Sequence, residues 1–577
     1  MASLRILAHP TNNNSTLSSP SFACSFSQQK LHRHLPPPCK SPKPPRRKMI
    51  SCKSEKSRGI DRRDLLLGVG GLYGAAAGLG LDRRAVGAPI QAPDISTCGP
   101  PADLPATAPP TDCCPPYQST IVDFKLPPRS DPLRVRPAAQ SVDADYLAKY
   151  KKAVELMKAL PADDPRNFVQ QAKVHCAYCD GAYDQIGFPD LEIQVHSSWL
   201  FFPWHRFYLY FNERILGKLI GDDTFALPFW NWDAPGGMQI PAIYADASSP
   251  LYDKLRNAKH QPPTLVDLDY NGTDPTFTPE QQIAHNLTIM YRQVISGGKT
   301  PELFMGAAYR AGDAPDPGAG TLELVPHNTM HLWTGDPNQP NDEDMGTFYA
   351  AARDPIFFAH HGNVDRMWYV WRKLGGTHRD FTDPDWLNAS FLFYDENAQL
   401  VRVKVKDCLS ADALRYTYQD VDIPWISAKP TPKKTPGGAA PSTTEAIFPV
   451  VLDKPVSSTV ARPKTGRSTG EEEVLVVEGI ELDKDVAVKF DVYINAPDNE
   501  GVGPEASEFA GSFVQVPHKH KKGKKEKARI KTTLRLGITD LLEDIGAEDD
   551  ESVLVTLVPR IGEGLVKVGG LRIDFSK

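Results

Sequence analysis

The sequence predicts a mainly α-helical domain built around a metal centre, followed by a small antiparallel β domain, and three observations predict it. Apolar residues recur at three and four spacing in segments between Tyr146 and Trp371. Six histidines fall in two tight groups inside that helical stretch. Beyond a Pro-, Lys- and Thr-rich segment the pattern changes to short β-rich runs separated by turn residues. At 577 residues, 41% hydrophobic and 24% charged, the chain has the composition of a soluble globular protein of more than one domain.

The leader comes first. The first 54 residues carry nine Lys or Arg and no Asp or Glu, with many Ser, Pro and Asn, which is the composition of an organelle transit peptide. Asp61-Arg62-Arg63-Asp64 follows, then a Gly- and Ala-rich apolar stretch from Leu65 to Leu81, then Ala85-Val86-Gly87-Ala88. This order reads as a twin-arginine signal with a small-residue cleavage site, so residues 1–87 form the transit and thylakoid-transfer peptide. The stretch is too short and glycine-rich for a good membrane anchor. The expected route uses the twin-arginine translocation machinery and ends in the chloroplast thylakoid lumen, with no stable membrane insertion after processing. Losing a basic leader makes the remainder more acidic than the formal −6 of the whole chain, which argues against nucleic acid as a partner.

Cys24, Cys39 and Cys52 leave with the leader; Cys98, Cys113, Cys114, Cys176, Cys179 and Cys408 stay. The Pro-rich segment from Ala88 to Pro127 has no hydrophobic period of its own, so Cys113 and Cys114 are expected to staple it to the folded body. Helices are predicted over Tyr146–Leu160, Trp204–Leu219 and Asp354–Leu374. Alternation follows in Val401, Val403 and Val405, then a protease-sensitive linker over 429–444. Strands are predicted in Glu472–Ile480, Val486–Ile494, Phe513–Val516, Lys527–Leu536, Val553–Pro559 and Leu571–Phe575. The charge run Lys519–Lys527 reads as a solvated loop. The division is therefore 88–428 catalytic, 429–444 linker and 445–577 β domain.

The first histidine group is His175, His196 and His205; the second is His327, His331 and His361. His327 and His331 are four apart behind Pro326, which is suited to open a helix, so both imidazoles lie on one face. Asp365 stands one turn beyond His361, where it is expected to orient a ligating imidazole. Trp199, Phe201, Phe202, Trp204, Phe207 and Tyr208 surround His205 in sequence and would keep a metal dry. A lone histidine on an apolar face is ordinarily a hydrogen-bonded core residue; six titratable side chains in apolar helices need a common cause, and metal supplies one. No carboxylate stands at ligand spacing as in di-iron bundles. Imidazole suits copper and zinc alike, so spacing stops at two tri-imidazole sites.

His175-Cys176-Ala177-Tyr178-Cys179, His196, Phe202-Pro203-Trp204-His205-Arg206, His327-Asn328-Thr329-Met330-His331 and Asp354-Pro355-Ile356-Phe357-Phe358-Ala359-His360-His361 with Asp365 resemble the two copper motifs of plant polyphenol oxidases, the catechol oxidase and tyrosinase type. The likeness extends through Tyr416-Thr417-Tyr418 to Lys489-Phe490-Asp491-Val492-Tyr493 and covers nearly the whole chain. It implies a four-helix bundle with a type 3 centre of two copper ions, His175, His196 and His205 on copper A and His327, His331 and His361 on copper B, with His360 a neighbour. It further implies a thioether between Cys179 and His196, and disulfides Cys98–Cys114 and Cys113–Cys176; Cys408 has no role in the pattern. Phe348 resembles a gate residue over copper A, and Glu323 with Asn328 the pair holding a water that would take the proton of a monophenol. The β-sandwich C-terminal domain would shield the site until it is removed or displaced.

The implied activity is copper-dependent oxidation of small o-diphenols to o-quinones with O2 reduced to water; a pair of metals suits a two-electron step. Monophenol hydroxylation is a further expectation. The rivals are a reversible O2 carrier, since haemocyanins share the motifs, a dizinc hydrolase, and a specialised oxidase for one lignan, chalcone or betalain precursor. The plastid leader argues against the carrier, and Cys179 with the aromatic lining would have no role in the hydrolase.

Overall fold

The computed structural model describes residues 87–99, 112–432, 445–463, 471–496, 503–517 and 529–576. Residues 1–86, where the transit and twin-arginine signals are expected, most of the expected linker and the charge run at 519–527 lie outside the described residues. Residues 84–577 form one compact unit.

Helices supply the first part. Asp143 caps helix α1 (Ala144–Ala159) by accepting the Tyr146 N–H. Asn167 does the same at Val169 for α2 (Phe168–Cys179). Helix α3 (Phe201–Ile220) is buried along most of its length and stops at Gly221, whose φ of 67° is a left-handed conformation open to glycine. It packs against α1 and against α6, the latter spanning Ile356–Leu374 and ending at Gly375. Between them, α4 (Pro279–Tyr291) starts with a full capping box of Thr278 and Gln281. Val325 leaves helical geometry at φ −143°, and Pro326 opens the turn that continues into α5 (Thr329–Thr334).

One network fastens these helices. Asp365 accepts from Arg206 Nε at 2.5 Å, Arg136 Nη1 at 3.0 Å, the Tyr416 hydroxyl at 2.6 Å and the Tyr418 hydroxyl. Glu213 accepts from Arg134 at 2.7 Å and Arg136 at 2.8 Å, and the Arg206 guanidinium lies 3.6 Å over the Trp368 ring. All of these charged groups are buried. Burial alone would raise the Asp365 pKa, but Arg206 and Arg136 with the two phenols hold it below its ordinary value. This corrects the role expected of Asp365: its bonded partners are two guanidiniums and two phenols, and none is an imidazole. Full cations outcompete a neutral ring N–H for a buried carboxylate.

The N-terminal Pro-rich segment is joined to the body by disulfides Cys98–Cys114 and Cys113–Cys176. Ser390–Tyr394 and Leu400–Lys404 pair antiparallel, with Ile121–Asp123 parallel on the outer side. The C-terminal part holds two antiparallel sheets. In one, Glu472–Asp483 lies between Arg529–Gly537 and Gly570–Ser576; in the other, Val488–Ile494 lies between Phe509–Gln515 and Ser552–Ile561, with Val456–Ala461 outside. Val456–Ala461 was not expected: its Ser457-Ser458-Thr459 centre lacks a hydrophobic signature.

The β part sits on the helical part through buried polar contacts. Lys489, fully buried, reaches Asp269 Oδ1 at 2.9 Å, the Asn271 side chain at 2.6 Å and Asp491 at 3.1 Å. Lys484 meets Glu192 at 3.0 Å, and Arg292 donates to the carbonyls of Pro504 and Ala506.

Candidate metal centre

Helix α2 carries His175, the turn before α3 carries His196, and α3 carries His205 one turn inside its start. Their ligand-competent nitrogens lie within 4.8 Å of one another. The second group, His327, His331 and His361, stands on the Pro326 turn, α5 and α6, with His360 inside the same 4.8 Å limit. The groups face each other: the His205 and His361 rings stack at 4.2 Å and 8°, and those of His196 and His327 at 5.8 Å.

Oxygen atoms hold the Nδ1 side of five rings. His175 faces the Phe348 carbonyl at 2.9 Å, His205 the Phe201 carbonyl at 2.8 Å and His331 the Met345 carbonyl at 2.7 Å. His327 faces Asn328 Oδ1 at 2.9 Å and His196 faces Gln194 Oε1 at 3.3 Å. A carbonyl oxygen only accepts, so Nδ1 carries the proton and Nε2 the lone pair. Nε2 of all six is buried without a protein partner, an arrangement rare in a core unless a metal takes the lone pairs. Burial, helped for most by neighbouring imidazoles, lowers each pKa, to about 3 for His175 and about 4 for His331, which keeps the rings in the neutral form that ligates. The residues therefore fit a pair of tri-imidazole metal sites.

Phe348 stacks on His196 with centroids 4.0 Å apart and planes at 10°. Its main-chain N–H donates to the Pro517 carbonyl at 3.3 Å, and the Thr347 hydroxyl donates to the same oxygen at 3.2 Å. Asn328 Nδ2 donates to the Val514 carbonyl at 3.0 Å. The C-terminal part thus touches the rim of the centre through its main chain. Glu323 Oε1 accepts the Ser197 N–H at 2.6 Å while Oε2 has no protein partner, and burial pushes this carboxyl well above the usual range. Leu332, after the second histidine of its group, is half-buried.

Cys179 and Cys408 are buried and lie outside the two disulfides. Cys408 lies under α3, where its carbonyl accepts from Arg206 at 3.0 Å. Sequence reasoning missed Gln194, the bond of Arg206 to Asp365 and the carbonyls of Met345 and Pro517. A neutral amide or a main-chain oxygen carries no motif; only the arginine in Trp204-His205-Arg206 was visible as a charge inside an apolar run.

Residues 165–374 match the common central domain of tyrosinase, 380–431 the polyphenol oxidase middle domain and 448–575 the chloroplastic polyphenol oxidase C-terminal domain. A chloroplastic polyphenol oxidase of Malus domestica is 59% identical over 556 residues, covering 91% of this chain and 92% of that one. Aureusidin synthase of Antirrhinum majus is 56% identical over 504 residues, 85% and 89% of the two chains. The structure of latent apple tyrosinase aligns with a TM-score of 0.76 at 62% identity, covering 79% of this chain and all of that one. Latent aurone synthase aligns at 0.79 and 44%, with 85% and 99% covered.

Proposed function

The chain belongs to the plant polyphenol oxidases of the tyrosinase family, and from that premise we propose a division of labour among its residues. It is a copper oxidoreductase that oxidises o-diphenols to o-quinones with O2, in a latent form. The single observation that carries the assignment of sites is the pair of facing triads whose six Nε2 atoms are buried without a protein partner.

His175, His196 and His205 hold one copper, and His327, His331 and His361 the other. His360, packed near Trp230 and Trp232, stays a neighbour. When bound, the copper pair supplies two-electron redox chemistry toward O2. The protein does the rest. Oxygen acceptors fix the tautomer of five rings, α3 and α6 bring the triads together, and Phe348 covers His196 and limits how a flat phenol enters. Glu323 Oε2, with Asn328, is placed to hold a water that takes a monophenol proton. A phenol with a pKa near 10 otherwise stays protonated. Cys179 forms the thioether to His196. The helices around the centre correspond to the family's four-helix bundle, and the two C-terminal sheets to a sandwich over residues 445–577.

The β part is the shield. Val514 and Pro517 occupy the acceptor positions beside Asn328 and Phe348, which supports latency relieved by cleavage in 429–444. Localisation in the chloroplast is supported by the chloroplastic relatives; import into the thylakoid lumen by the twin-arginine route is proposed from Arg62-Arg63 and the stretch after it. Among the described residues no helix is long and apolar enough to cross a membrane.

The test is metal analysis and O2 uptake on the protein activated in the linker, with 4-methylcatechol and then tyramine. The reading requires two coppers per chain and prompt O2 consumption with the diphenol. Copper with reversible O2 binding and no consumption, or zinc with no oxygen chemistry, would overturn it.

A further inference from the structure

Main-chain carbonyls fix His175, His205 and His331, whereas His196 is fixed by the side chain of Gln194. Gln194 is fully buried. Its Oε1 accepts the main-chain N–H of His196 at 2.9 Å and faces His196 Nδ1 at 3.3 Å, while its Nε2 donates to the Cys179 carbonyl at 2.9 Å. Chemistry leaves one orientation for this amide. A main-chain N–H meets only an acceptor and a carbonyl meets only a donor, so oxygen must face His196 and nitrogen must face Cys179. His196 Nδ1, facing that oxygen, carries the proton, and Nε2 keeps the lone pair.

We propose that Gln194 is a positioning residue that sets the tautomer and ring angle of His196 for metal and holds the end of α2, with Cys179, in register with that ring for thioether formation. The inference rests on the assignment of His196 as ligand and Cys179 as its covalent partner. In the linkage the thiol S–H and a ring C–H break and a C–S bond forms. The two electrons and two protons pass to O2, the oxidant the enzyme already uses, giving hydrogen peroxide. The side chain's hold on the His196 N–H and ring and on the Cys179 carbonyl ties together the two residues that must meet. A residue that merely filled the core would need neither bond.

The test compares wild type, Gln194→Met and Gln194→Glu as full-length copper-loaded proteins. Methionine keeps the length and removes every hydrogen bond; glutamate keeps the acceptor for His196 and loses the donor to Cys179. The readouts are copper retained after dialysis against a chelator, and the yield of a linked Cys179–His196 peptide, lighter by two hydrogens, in a digest. Gln194→Met is expected to weaken one copper site by about 10- to 100-fold and to lower the yield of linked peptide. Gln194→Glu is expected to retain copper better than Met and still to lose linked peptide. Wild-type copper retention and linkage in Gln194→Met would overturn the proposal. So would a Glu variant that links as wild type does, and this comparison decides if the Met variant does not fold. A wild type with no copper or no linked peptide would instead refute the ligand and thioether assignments beneath it.

Discussion

Asn328 donates its side-chain N–H to the Val514 carbonyl at 3.0 Å, and the same amide offers its oxygen to His327 Nδ1 at 2.9 Å. One side chain therefore joins the C-terminal β part to the second histidine triad. The amide cannot turn over without placing its NH2 against a ring N–H and its oxygen against a carbonyl, so the Val514 carbonyl fixes the Asn328 face presented to the pocket. Cleaving the linker and removing the β part should free this N–H and that of Phe348. The expected outcome is a rise of several-fold or more in 4-methylcatechol oxidation without detergent or acid. Equal rates for intact and cleaved protein would refute shielding.

Lys489 ties the C-terminal β part to the helical part. Its ammonium is fully buried against Asp269 across the interface and Asp491 within its own sheet. Lys489→Met leaves Asp269 without its counter-charge, and breaking a buried pair on one side costs about 3–5 kcal/mol. The variant should be active without cleavage, measured as the ratio of catechol oxidation before and after detergent. A ratio equal to wild type would show that other contacts carry the docking.

The interface also predicts a pH dependence. His285 and Glu505 approach to 3.8 Å across it. Burial alone would lower the His285 pKa, but the pairing with Glu505 and the carboxylates of Asp269 and Asp267 hold it above 6.5; the same pairing with His285 holds Glu505 below 4.5. The histidine contribution is complete below pH 6.5 and lost as pH rises through the raised pKa. The glutamate contribution is complete above pH 4.5 and lost as pH falls through the depressed one. The pair thus supports docking best between these values. Glu505→Gln should flatten the pH profile of latency in a titration of uncleaved activity.

Much of this architecture was legible in the sequence. His327 and His331 declared themselves by helical spacing behind Pro326, and the run around His205 by its aromatic density. Asp365 was visible but misread: a position one turn from His361 says which face of α6 it shares and nothing of Arg136 and Arg206, which arrive from far away in sequence. Gln194 left no trace, because a neutral amide two residues before a histidine resembles any polar loop residue. Contacts made by main-chain oxygens, such as Met345 to His331, depend on the folded path alone.

Glu323→Gln tests the proposed monophenol hydroxylation. The glutamine keeps the size of the side chain and an oxygen for the Ser197 N–H, but it cannot take a proton. A positioned base contributes about 10²–10⁴-fold, so the ratio of tyramine hydroxylation to 4-methylcatechol oxidation should fall by that order in the cleaved enzyme. An unchanged ratio would leave Glu323 as a brace for Ser197.

Asp365→Asn tests the clamp between α3 and α6. The carboxylate is buried and its pKa is held below the ordinary value. Its stabilising contribution is therefore complete above about pH 3.9 and lost as pH falls through the depressed value. Asparagine keeps the shape but leaves Arg206 and Arg136 short of one negative charge in the core. The expected loss is about 3–5 kcal/mol, read as a lower melting temperature of the metal-free protein. Copper retention should fall with it, because His205 precedes Arg206 on α3 and His361 lies one turn from Asp365 on α6, so loosening the clamp lets the two triads drift apart. A variant that melts lower while keeping both coppers would place the clamp in the stability of the fold alone.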